Sequence, residues 1–353
     1  MTLHLYIARQ LLFALLLALL ELFGVLLPPL VVSAVTRLGG VKPIVLLEYL
    51  PYMVVEIAPY VATVAFLVSV MRTFGAMREH GEWTAITMSG IHPARSLPAA
   101  LTLALLLTGL GLHAMRSEFP ALRRAQNNMQ RQSVLEKIRA LMPGQTSIQI
   151  GPVSIVARAR TGNRFEGVVL RVADPETGKE RRLAAAWAEA TFEEDALKFT
   201  CTDVQVIEES ESFYVDWLEV PFSLDKLWGF QPVDPDRAKY QPSSELRRRV
   251  RSGEVEGRRA LSYVYEAHRR DALATTFLVF LLIGFSVGLW LGNESHVKSL
   301  VIAALLSAFY FIGENLVDAL SMGGQLPPVL GAWLPTGVYL VVGLVMTGRV
   351  FRR

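Results

Sequence analysis

The chain has 353 residues, 52% of them hydrophobic, and its mean hydropathy is positive. A single soluble domain of ordinary composition is excluded, since such domains reach about 45–50% only with glycine counted. Charged residues still make up 19%, too many for a chain built wholly of membrane helices, so charge and apolar residues must be segregated. The net charge of only +3 points to no particular partner and gives no sign of nucleic acid. The lone Cys201 excludes an internal disulfide and a thiolate zinc site.

A bilayer core about 30 Å thick needs about 20 mostly apolar residues in a helix. Six stretches come close: Leu11–Val35, Val54–Met71, Leu97–Met115, Ala272–Leu291, Ser299–Met322 and Gly331–Met346. The first follows Arg9 and ends near a small-residue triplet, Val32-Ser33-Ala34, as a secretory signal would. Its apolar run is longer than the roughly 7–15 residues of a signal core, so it reads as a helix, with a kink expected at Pro28-Pro29.

Orientation follows from Lys and Arg in the short flanks, which concentrate on the cytoplasmic side. One set holds Arg9, Arg72, Arg78, Arg95, Lys298, Arg349, Arg352 and Arg353; the other holds only Arg37 and Lys42. Both termini are therefore expected in the cytoplasm, and the long insert between the third and fourth helices outside it. The resulting division is residues 1–115 with three helices, an extracytoplasmic domain over 116–271, and residues 272–353 with three more. The two halves show no convincing internal match of the kind expected for a transporter repeat.

Within the insert, Pro120–Leu141 reads as a helical stalk. After Pro143-Gly144 the period becomes that of strands with one buried face: Ile148/Ile150, Val153/Ile155/Ala157, Val168/Leu170/Val172, Phe199/Cys201, Val204/Val206 and Phe213/Val215/Trp217. Turn chemistry punctuates them at Thr161-Gly162-Asn163, Asp174–Gly178 and Glu193-Glu194-Asp195. Six to eight short strands over about 145–223 suggest a small sandwich or jelly roll. From Asp234 to Arg270 the pattern turns helical again.

Catalytic motifs are missing. Gly292–Ser299 ends in Lys-Ser before a helix, but Val297 stands where a phosphate loop needs glycine. There is no G-x-S-x-G, no H-E-x-x-H and no histidine cluster. Acids within the spans are the other place to look: Glu21, Glu56, Glu314 and Asp318, the last two one helical turn apart. An ion-coupled carrier would use them as a relay. The simpler account has Glu56 and Asp318 near the interface and Glu21 and Glu314 in interhelical hydrogen bonds, with no Lys or Arg expected as partner inside the spans.

Three stretches then read together. Arg78-Glu79-His80-Gly81-Glu82-Trp83-Thr84-Ala85-Ile86-Thr87-Met88-Ser89-Gly90-Ile91 follows the second span, Glu266-Ala267-His268-Arg269-Arg270-Asp271-Ala272 opens the fourth, and Leu326–Pro335 introduces the last. In this order around one β insert, the chain resembles the LptF/LptG family of lipopolysaccharide-export permeases along essentially its whole length. The resemblance implies an α-helical six-transmembrane bundle with an inserted extracytoplasmic β-jelly-roll domain in the bacterial inner membrane. It implies a non-catalytic permease subunit that binds no cofactor itself and is driven by ATP on a separate LptB-like ATPase dimer. A paralogous LptF/LptG permease, LptC-like and LptA-like jelly-roll proteins and lipopolysaccharide are the implied partners.

Two sites follow from the resemblance. A loop helix at about 76–90 would couple to the ATPase through Glu82, Glu79, Trp83 and Ile86, the aromatic and aliphatic side chains forming an apolar edge beside the two acids. The alternative is an interfacial loop helix with Trp83 at headgroup level. Arg37 and Lys42, beyond the outer end of the first span, would meet lipopolysaccharide phosphates; ordinary snorkelling is the competing account.

Overall fold

The computed structural model describes residues 3–38, 43–126, 128–129, 148–150, 153–161, 164–173, 180–193, 196–208, 211–223, 236–292 and 296–352. It separates into two compact units, Met1–Gln130 with Asp236–Arg353, and Arg131–Pro235.

The first unit holds helices α1 (Leu3–Leu38), α2 (Pro43–Glu79), α3 (Glu82–Met88), α4 (Leu97–His113), α5 (Ser243–Arg251), α6 (Gly257–Leu291), α7 (His296–Met322) and α8 (Pro328–Arg352). Six of the helical runs are long and apolar enough to cross a membrane. They overrun the spans read from apolarity alone: α6 begins at Gly257, not near Ala272, and α4 continues through a widened turn at Ala114–Glu118 to Gln126. The start of the predicted stalk is thus an extension of the third span; its remainder, residues 130–141, lies outside the described residues. Pro28 and Pro29 sit within one uninterrupted helical assignment, α1.

Helix α6 is the hub. Its apolar window is 83% buried, against 17% for α1. Close approach explains this: a Cβ on Gly288 would lie 2.6 Å from the Met71 carbonyl oxygen of α2, and one on Gly343 of α8 would lie 2.9 Å from Leu282 Cβ. Lipid tails offer helices no hydrophobic incentive to associate, so packing through small residues must supply it. Edge-on aromatic pairs fill the same seam, Phe66 with Phe277 and Phe74 with Phe285, at ring separations of 5.7 and 4.8 Å. Hydroxyl contacts join further helices, Ser286 of α6 to Thr347 of α8 at 3.0 Å and Tyr310 of α7 to Thr336 of α8 at 2.8 Å.

The second unit contains β1 (Ile148–Ile150), β2 (Val153–Val156), β3 (Ala159–Thr161), β4 (Arg164–Ala173), β5 (Glu180–Glu193), β6 (Ala196–Glu208) and β7 (Glu211–Ser223). All described pairings are antiparallel within one sheet, ordered β1-β2-β4-β5-β6-β7 with β3 also on β4. β2 and β3 pair with opposite ends of β4 in one unbroken register, so they are two halves of a single interrupted strand. The described strands therefore form a meander; the two-sheet closure of a jelly roll is not among their pairings.

A crease crosses this sheet. The ladders skip Gly167, Ala186, Asp203 and Asp216, which lie opposite one another on β4 to β7, without any change of register. Gly167 and Asp203 have φ of 58° and 53°, the left-handed region. The buried side chains change parity there: Phe165 gives way to Val168 and Leu170, Ala185 to Ala188, and Cys201 to Val204. On each strand the inward-facing parity changes at the same row, and one face stays apolar on both sides. Phe199/Cys201 and Val204/Val206, read as separate alternations, are one strand joined through Asp203.

The one-buried-face expectation fails for β7. Phe213 and Trp217 are 51% and 61% exposed, and the crease at Asp216 puts Trp217 on the opposite face from Phe213 and Val215, with which the alternation grouped it. The side chains of Ile150 and Ile155 lie outside the described residues.

Candidate functional site

At the end of the bundle where α1 begins, α2 ends and α3 follows at once. The expected helix over about 76–90 is in fact two elements: residues up to Glu79 are the last turn of α2, and α3 covers only Glu82–Met88. Gly81 causes the break, with φ of 73° immediately before α3. The far end is closed by Gly90, at φ 77°, whose N–H donates to the Thr87 carbonyl.

Glu82 occupies the first turn of α3, where the helix dipole favours an acid. Its Oε1 accepts a 2.7 Å hydrogen bond from the Tyr6 hydroxyl of α1. Tyr6 in turn accepts from Gln10 Nε2 at 2.6 Å. Trp83 stacks edge-on against Phe285 of α6 at 5.7 Å, and both Trp83 and Ile86 pack on the main core. The apolar edge assigned to those two side chains is therefore turned toward the bundle, as the alternation of buried and solvent positions on a short helix requires. The side chains facing out are Thr84, Thr87 and Met88, the last 84% exposed, while Glu79 lies exposed at the end of α2. Arg78, beside it, donates to the carbonyls of Leu289 and Trp290, fastening α2 to the last turn of α6. His92 meets Phe351 of α8 at 5.8 Å. One short segment thus touches α1, α6 and α8.

Arg37 lies in the last turn of α1, and nothing of its side chain is described; Lys42 lies outside the described residues.

Three of the four acids within the spans have side-chain partners among the described residues of the bundle, two of them cationic. Glu21 of α1 is ion-paired with Arg72 of α2 at 2.8 Å, and Glu314 of α7 with Arg269 of α6 at 2.6 Å. Arginines do reach these acids, contrary to expectation: Arg72 follows and Arg269 precedes the apolar run of its span, but α2 and α6 extend beyond those runs and bring both inside the bundle. Gln126 donates to Glu56 at 3.4 Å, and Asp318 is half-buried.

Residues missed as structural anchors cluster in the Glu266–Asp271 stretch. Arg269 also donates to the Tyr60 hydroxyl at 2.7 Å. Arg270, 5% exposed, donates to Glu266 and to the carbonyls of Ala238 and Gln241 at 2.8–3.0 Å. Asp271 accepts from Arg116 at 2.7 Å and from Arg247 of α5 at 2.5 Å. Each buried charge is paired or hydrogen-bonded, as desolvation demands. The stretch therefore ties α6 to α2, α7, α5 and the continuation of α4. Among the described residues no group of His, Cys, Asp and Glu is arranged to hold a metal.

A search of curated proteins found no match. Residues 5–349 match the family described as lipopolysaccharide export system permease LptF/LptG. That match runs from the α1 residues beside Tyr6, across α3 and the β unit, into the last turns of α8, and takes in every residue of the geometry above except Phe351. The chain belongs to the LptF/LptG family of lipopolysaccharide-export permeases.

Proposed function

We propose that this chain is the non-catalytic membrane half of an ABC transporter, paired with a paralogous LptF/LptG permease and docked on an LptB-like ATPase dimer. ATP binding and hydrolysis on the partner move α3, the cavity between the paired bundles closes, and lipopolysaccharide leaves the outer leaflet of the inner membrane toward the β unit. Both termini and α3 are cytoplasmic and the β unit periplasmic. Counting Arg72 as intramembrane leaves seven flank cations on the terminus side against Arg37 and Lys42 on the other, so the charge asymmetry survives the correction.

The observation that carries this reading is α3 itself: a glycine-bounded helix with an exposed outer face and an inner face seated on α1 and α6. An element that takes force from a soluble partner needs both. Glu82 supplies the charge, with Glu79 and exposed Met88 beside it for the partner's groove. Arg37 and Lys42 meet lipid phosphates, as guanidinium and ammonium groups suit such oxygens. The β7 edge, with Phe213, Tyr214 and Trp217 exposed, adds a strand from an LptC-like or LptA-like protein.

Reconstitution tests the docking role. Glu82→Ala should weaken ATPase binding or lipid-stimulated turnover, and wild-type behaviour in both would remove Glu82 from the coupling contact. Paired Ala substitution of Arg37 and Lys42 should reduce crosslinking to lipopolysaccharide; unchanged crosslinking would assign both to snorkelling.

A further inference from the structure

The contact between Glu82 and Tyr6 links the segment proposed to meet the ATPase with the membrane helix that packs least against the rest of the bundle. Three observations give the contact a direction. The Tyr6 oxygen accepts a hydrogen bond from Gln10 Nε2 at 2.6 Å, so its single O–H is left to point at Glu82 Oε1, 2.7 Å away. Tyr6 is held by its neighbours, since Ile7 and Leu11 on the same helix are fully buried. Glu82 is presented by a seven-residue helix pivoting on Gly81, whose left-handed φ of 73° lets α3 turn relative to α2. A carboxylate accepts on both oxygens, so Oε2 stays available to a cation on a partner while Oε1 is engaged by Tyr6.

The other inward contact of α3, Trp83 on Phe285, runs to α6, which is 83% buried over its apolar window and fastened by the Glu266–Asp271 network. Helix α1 is only 17% buried. A displacement of α3 therefore meets a fixed helix on one side and a lightly packed one on the other. At its far end, about 45 Å away by helical rise over residues 6–37, α1 carries Arg37.

We infer that Tyr6 is a positioning residue for transport: its hydrogen bond to Glu82 transmits movement of α3 to α1 and so joins ATP turnover to the lipid-facing helix. This rests on the reading of α3 as the ATPase-coupling element, and it separates two duties of Glu82. The charge serves the partner, and the acceptor oxygen serves α1.

The test uses the chain in complex with its paired permease and the ATPase that co-purifies from native membranes, reconstituted with lipopolysaccharide. Tyr6→Phe removes one hydroxyl. It should leave ATPase co-purification, basal hydrolysis and thermal stability at wild-type values while lowering lipid release per ATP about ten- to a hundredfold, the effect of losing one hydrogen bond to a charged acceptor. Glu82→Gln keeps the acceptor and removes the charge, so it should weaken ATPase co-purification yet retain release per ATP in the complexes that form. Adding Tyr6→Phe to Glu82→Ala should cost nothing further. Wild-type release per ATP in Tyr6→Phe overturns the inference, as does loss of ATPase binding in that variant, which would make the hydroxyl a support for the fold of α3 only. If the wild-type chain retains no ATPase, the coupling reading fails and this inference with it, an outcome visible before any variant is made.

Discussion

Glu21 and Arg72 face each other across α1 and α2 with side-chain exposures of 38% and 11%, and neither is a residue that a membrane helix carries without cause. Removing one member leaves the other's charge uncompensated in a poorly solvated place, whereas replacing both with apolar groups of similar volume removes the problem. Glu21→Ala should therefore destabilise the purified protein by about 3 kcal/mol, and Glu21→Leu with Arg72→Met by clearly less; thermal unfolding in detergent measures both. A double variant as unstable as the single would show that the pair matters through packing. Cys201 of the β unit gives a second check at this scale. Burial pushes its thiol up to about 11, against about 8.5 for a free cysteine. A raised thiol pKa means the folded form keeps its proton where the unfolded chain loses it. The β unit should thus hold its stability below about pH 8.5 and lose it progressively as pH rises toward 11. At pH 8.5 native protein should react with a thiol reagent about a hundredfold more slowly than denaturant-unfolded protein.

Elements are decided by their neighbours as much as by their own residues. β5, with Leu183-Ala184-Ala185-Ala186-Trp187-Ala188 at its centre, has the alanine content of a helix and no clean alternation, and the strand periodicity leaves it out. It is a strand because it pairs along its length with both β4 and β6, information held in other parts of the chain. The crease was partly legible: the parity shift between Phe199/Cys201 and Val204/Val206 is present in the sequence, and only the pairing shows that the same shift recurs at Gly167, Ala186 and Asp216. The α2–α6 seam makes a testable case. A methyl at Gly288 would fall 2.6 Å from the Met71 carbonyl oxygen, a backbone atom that cannot swing away. Gly288→Ala should cost about 1–3 kcal/mol, the usual penalty for overpacking, while Gly337→Ala, with open space around its Cβ, should be nearly neutral by the same thermal assay.

At the scale of the molecule, the six spans and the strand-rich insert between the third and fourth could be read from residue order, because bilayer thickness and strand period act locally. Three features could not. The division of the expected loop helix at Gly81, the inward turn of Trp83 and Ile86, and the pairing of Glu21 and Glu314 with arginines each depend on which helices lie side by side. The stretches that carry the resemblance include Glu82, at the end where α1 begins, and the Glu266–Asp271 network on α6. These two places bear on the least and the most buried of the six spans, α1 and α6. The central claim is that this chain exports lipopolysaccharide with energy supplied by a separate ATPase. Proteoliposomes containing the chain, its paired permease and the co-purified ATPase, loaded with lipopolysaccharide and offered a soluble jelly-roll acceptor, test it most directly. Lipid transfer to the acceptor should require ATP and should be indifferent to a proton or sodium gradient. Transfer driven by an ion gradient without ATP, or no transfer with ATP and an active ATPase bound, would contradict it.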